Sequence, residues 1–83
     1  MEGTPKHPKT FGEELQRLRD EAGLSLEAIS AETKISKRIL VNLENGEFRY
    51  LPQKVFCRNF VAQYADLVGA NPNDISDAFE AAW

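Results

Sequence analysis

Helix-opening and helix-closing residues follow one another along this chain, and nothing between them alternates with the period of two that a half-buried strand requires. Thr10 and Glu13 make a T-x-x-E capping box, after which Phe11, Leu15, Leu18 and Ala22 fall on one helical face until Gly23 supplies a left-handed stop. Ser25 caps a short second helix in which Leu26 and Ile29 point one way up to about Thr33. Ser36 caps a third, whose stripe of Ile39, Leu40 and Leu43 ends at Asn45-Gly46. Phe48, Tyr50 and Leu51 lie in an aperiodic connection, and Pro52 suits the first turn of the longest helix, which runs uninterrupted to Val68 and stops at Gly69. Asn71, Pro72 and Asp74 open a fifth helix holding Ile75 and Phe79. The pattern predicts an all-α fold, a compact five-helix domain over residues 10–83. It follows a flexible leader over residues 1–9, where two prolines and a glycine break any period.

Size limits what such a domain can do. At 83 residues it holds one small core and hides only about 60% of its unfolded surface. Leu, Ile, Val and Phe nevertheless number 21, enough to leave the composition of disordered chains behind. Catalysis calls for a nucleophile or an acid/base pair in shelter. The chain offers one histidine, His7 in the leader, one cysteine, Cys57 on the fourth helix, and no glycine-rich phosphate loop. We therefore expect no enzyme, no catalytic residue, no metal site and no cofactor, with Cys57 acting as a small apolar core residue. Glu13, Glu14, Asp20 and Glu21 read as a solvated helix face beside arginines. A lone cysteine permits no internal disulfide, and no apolar run approaches the roughly 20 residues of a membrane span. Both point to a soluble, cytoplasmic domain.

Residues 25–46 have the spacing of a helix-turn-helix, in which the second helix of the pair enters the major groove of DNA. The segment resembles the five-helix repressor-type module of bacterial regulators. Two departures weigh against reading DNA: Lys34 stands where that family has its turn glycine, and Leu26 where a polar residue opens the first helix. With Ile39, Leu40 and Leu43 turned inward, Lys37, Arg38, Val41 and Asn45 face out. Val41 can offer no hydrogen bond to a base edge. Counting Glu27, Glu32 and Glu44 against Lys34, Lys37 and Arg38, the head is neutral. A DNA-binding regulator using Lys34, Lys37, Arg38 and Asn42 is the alternative function.

The fourth helix carries the second clue. At 100° per residue Phe56, Leu67, Phe60, Tyr64, Cys57, Val68 and Val61 fill an arc of about 140°, wider than the roughly 100° a surface helix needs to bury one side. Phe56 and Phe60 lie at the edge adjoining Asn59 and Gln63, where a leftover aromatic patch would stand, although periodicity alone favours both as core. The same rim could instead serve homodimerisation.

Three stretches, GEELQRLRDEAGLSLEAISAETKI, LENGEFRYLP and LPQKVFCRNFVAQYADLVGANP, share particular features. They are a T-K-I turn, a G-x-F-x-x-L-P link, and an aromatic-x-R-x-aromatic core followed by Y-A. From Phe11 to Phe79 the chain is similar to the cytoplasmic domain of the RodZ family of bacterial cell-shape proteins. That resemblance implies docking on the bacterial actin MreB, with the aromatic pair of the fourth helix, here Phe56 and Phe60, in the contact. Asn59 stands where the family usually has glycine. Family members continue through a basic stretch into a membrane helix. The resemblance therefore implies a parent protein that links filaments to the membrane from its cytoplasmic face, this chain being an excised domain or a shortened relative.

Overall fold

The computed structural model describes residues 10–83, so the expected leader and His7 lie outside the described residues. Five α-helices follow in order: α1 (Phe11–Ala22), α2 (Leu26–Thr33), α3 (Lys37–Asn45), α4 (Lys54–Leu67) and α5 (Pro72–Ala82). A single 3-10 turn, Phe48–Tyr50, joins α3 to α4. No strand occurs among the described residues.

The caps fall where local chemistry puts them. Thr10 and Glu13 close a reciprocal capping box on α1, and Gly23 ends it at φ 72°. Ser25 and Ser36 each accept an amide at the start of α2 and α3, while Asn71 accepts two, from Asn73 and Asp74. Each such cap is worth about 1 kcal/mol relative to alanine. One expected boundary moves: Pro52 precedes the helix, and α4 begins at Lys54 after Gln53, whose side chain makes no capping bond. Lys34 closes α2 at φ 65°, the left-handed conformation usually reserved for glycine. A lysine therefore carries the left-handed turn between α2 and α3.

Every helix contributes to the core, α4 the most. Leu15, Ile29, Leu40, Leu43, Cys57, Val61, Tyr64, Ala65 and Phe79 are fully enclosed, and Phe11, Ile35 and Ile75 nearly so. Ala22, expected on the inner face of α1, is exposed at its end. Ile39 is only half-buried. At the end of the molecule where α1 starts and α5 finishes, Phe11, Phe48, Phe79 and Trp83 form a cluster of rings, Trp83 stacking on Phe48 at 5.3 Å between centroids.

Where α1 crosses α3, Gly12 lets the backbones touch. A Cβ added there would sit 2.0 Å from the carbonyl oxygen of Glu44. The same carbonyl accepts a bond from Gln16 Nε2 at 3.1 Å. Beside it Glu44, nearly buried, receives Arg19 Nε at 2.8 Å and Arg19 Nη2 at 3.1 Å, and the Tyr64 hydroxyl donates to the same carboxylate. One carboxylate therefore ties α1, α3 and α4 together.

Candidate functional site

Helix α4 reaches the surface at its first turn. The buried face runs through Cys57, Val61, Tyr64 and Ala65, which is further round the helix than the apolar arc alone suggests. The cause is α5, which packs along the Val61 and Ala65 side, with Glu80 bonding Lys54 at 2.8 Å and Arg58 at 2.7 Å. Covering that side leaves the opposite edge of the arc uncovered. Phe56 is 54% exposed, its neighbour Val55 59%, and Tyr50 of the preceding 3-10 turn 63%. Phe60 is half-buried and packs against the core.

The expected patch is thus divided. Phe56 and Asn59 stand in solvent; Phe60 and Gln63 are half-buried. Gln63 turns toward α2, lining a hollow of about 240 Å³ with Glu32, Thr33, Asp66 and Leu67. Ala65 completes the core side and Val55 and Tyr50 complete the exposed side, none of them prominent in the sequence reading. Val55 lies about 100° from Phe56 on the helical wheel, outside the apolar arc. Tyr50 sits in a segment without a period. The only signal available for either was its apolar character in a stretch with few other places to hide.

The basic groups of α4 lie on another face, Lys54 and Arg58 about 160° around the helix from Phe56 and toward Glu80 of α5. The Arg49 guanidinium lies 5.0 Å from the centroid of the Tyr50 ring, within cation–π range. Lys54 and Arg58 share the one carboxylate of Glu80, which their hydrogen bonds hold below the usual carboxylate range. Cys57 points inward, its thiol near the Pro52 carbonyl at 3.4 Å, and burial pushes its pKa up. Raising a thiol pKa disfavours the thiolate, the nucleophilic form.

The helix-turn-helix surface is a separate place. Lys34, Lys37 and Arg38 are exposed and Asn42 is half-buried. Lys37 is held by Glu27 in an ion pair, whereas Lys34 and Arg38 make none among the described residues. The neutral charge count for this head needs correction, because Glu44 lies in the core. The sequence held the signal: Glu44 follows Leu40 by four residues and so shares its inward face. Among the described residues no cluster of His, Cys, Asp or Glu is placed to hold a metal ion, and no helix is long and apolar enough to cross a membrane.

Residues 14–75 match the family model of a helix-turn-helix domain. The chain is 32% identical over 78 residues to the cytoskeleton protein RodZ of Streptococcus pneumoniae, an alignment covering 94% of this chain and 28% of that protein. It is 40% identical over 52 residues to YmfM of Bacillus subtilis, an uncharacterized membrane protein, covering 63% of this chain and 18% of the other. The chain therefore spans little more than a quarter of these curated relatives at most. Among solved structures, YmfM of Staphylococcus aureus, a membrane protein named as a candidate DNA binder, superposes with a TM-score of 0.80 at 35% identity. The match covers 89% of this chain and 90% of that one.

Proposed function

The chain belongs to the helix-turn-helix domain family, and we propose that it is a non-enzymatic adaptor that docks on the actin-like protein MreB through the apolar ridge at the start of α4. In a longer parent such a domain would hold filaments at the cytoplasmic face of the membrane. Similarity to a cytoskeleton protein over 94% of the chain supports the setting. The observation that carries the reading is the exposure of Phe56, which stands 54% open beside Val55 and close in sequence to Tyr50. Single exposed apolar side chains are ordinary, but several large ones in one stretch mark a contact surface. Phe56 and Phe60 would be the anchors, with Asn59 and Gln63 on the rim.

Phe56 is the cleaner probe, because truncating an exposed ring leaves the core intact. A buried aromatic anchor at an interface contributes about 2 kcal/mol or more, or roughly thirtyfold in affinity. Phe56→Ala should keep the helical circular dichroism of the parent and lose most of its co-sedimentation with polymerised MreB. Co-sedimentation equal to the parent's would overturn the assignment.

One observation favours a second reading. Burial of Glu44 leaves Lys34, Lys37 and Arg38 facing only Glu27 and Glu32, so the helix-turn-helix surface is net positive, and a structural neighbour is named as a candidate DNA binder. Phosphate contacts release counterions, so binding of duplex DNA through Lys34, Lys37, Arg38 and Asn42 would fall steeply with salt and with Lys34→Ala or Arg38→Ala. Failure to retard duplex DNA even at low ionic strength removes it.

A further inference from the structure

We propose that the partner surface seated on α4 is uncharged where it meets the helix, an apolar hollow for Phe56 edged by neutral hydrogen-bonding groups for Asn59 and Gln63. The inference rests on the docking role just given and adds the chemistry of the partner.

The open side of α4 carries no charge from Val55 to Gln63. Phe56, Asn59 and Gln63 follow one another at spacings of three and four, and Val55 and Ala62 continue the same side toward α5, so the five share an arc of about 120°. Val55, Phe56 and Asn59 stand in solvent, and Ala62 and Gln63 are half-buried. The helix does hold cations, but they serve its other face: Lys54 and Arg58 bond Glu80 of α5 at 2.8 and 2.7 Å. The first charge on the open side is Asp66, about 10 Å further along the axis than Asn59. Helix α1 shows the contrast, exposing Glu13, Arg17, Asp20 and Glu21 as a helix left in water does. An exposed helix side depleted of charge and centred on a phenyl ring has the composition of an interface core. A charged partner group brought against it would lose its water and find no counter-ion on α4, so the complementary surface is neutral. The Asn59 and Gln63 amides each offer donors and an acceptor, which suits them to backbone or hydroxyl groups at the margin.

The test measures co-sedimentation of the whole chain with polymerised MreB, the filament pelleted alone at each salt concentration serving as reference. Raising ionic strength from about 0.05 to 0.5 M should change affinity by no more than about twofold, since no charge pair is screened. Asn59→Lys and Asn59→Asp should both weaken binding, roughly tenfold or more, because either charge is left unsatisfied in the contact. Both should keep the parent's circular dichroism, since position 59 is open to solvent. Arg58→Gln, on the opposite face, should bind as the parent does. Tighter binding by either charged variant, or a steep loss of affinity with salt, shows a charged partner surface and overturns the inference. If Phe56→Ala loses binding while both Asn59 variants bind like the parent, the uncharged contact around Asn59 is wrong and the docking role stands. If the parent does not bind MreB filaments at any salt, the docking role fails and the inference falls with it.

Discussion

Changing Glu44 to glutamine removes one charge and almost no volume from the point where three helices meet. In the parent the carboxylate takes two bonds from Arg19, at 2.8 and 3.1 Å, and a third from the Tyr64 hydroxyl. Glutamine offers a single acceptor oxygen, so its amide nitrogen faces either Arg19, a donor only, or the Tyr64 hydroxyl, which must then turn its proton to the Leu15 carbonyl at 3.1 Å. At least one charge-assisted bond is lost, about 1.5–3 kcal/mol. Breaking a buried ion pair by removing one partner costs about 3–5 kcal/mol, which the 18% exposure of the Arg19 side chain reduces by admitting water. We therefore expect a loss of about 2–4 kcal/mol, and a melting temperature lower by about 10–25 °C for a domain of this length. Urea denaturation followed by circular dichroism measures it. Glu27→Gln, which breaks the exposed pair with Lys37, is the control and should barely move the midpoint. If the two variants unfold at the same urea concentration, the Glu44 network does not hold the helices together.

Three further outcomes follow from the same contacts. Gly12→Ala places a methyl 2.0 Å from the Glu44 carbonyl oxygen. It should cost about 3 kcal/mol by overpacking, more than the roughly 1 kcal/mol that alanine gains in helix propensity, so a raised melting temperature would show that α1 and α3 part freely. Lys34→Gly relieves a left-handed lysine at φ 65° and should stabilise by about 0.5–1 kcal/mol, once glycine's greater unfolded-state freedom is subtracted. Burial, and then Glu44, raise the Tyr64 pKa, and burial raises that of Cys57. Both neutral forms are therefore favoured in the folded state. Their stabilisation is complete below the ordinary thiol and phenol values of about 8.5 and 10 and is lost as pH rises above them. Urea midpoints should fall in that alkaline range, and less steeply in Tyr64→Phe.

Local chemistry alone determined most of the architecture. The capping box at Thr10, the serines at 25 and 36, the glycines at 23 and 46 and the Asn71-Pro72 start act on amides within a few residues, so the chain declares them without reference to the rest of the fold. The apolar stripes named most of the core for the same reason, since a helix's period is intrinsic to its backbone. Only the assembled tertiary structure decided which edge of α4 stays in solvent. An arc of about 140° can be buried about any of several centres. The docking of α5 against Val61 and Ala65, with Glu80 reaching Lys54 and Arg58, chose one that left Phe56 outside and Phe60 half in. The helical period set Glu44 on the inward face with Leu40, but only tertiary contact made it the tie between α1, α3 and α4. Its partners lie 25 and 20 residues away, beyond the reach of any local pattern.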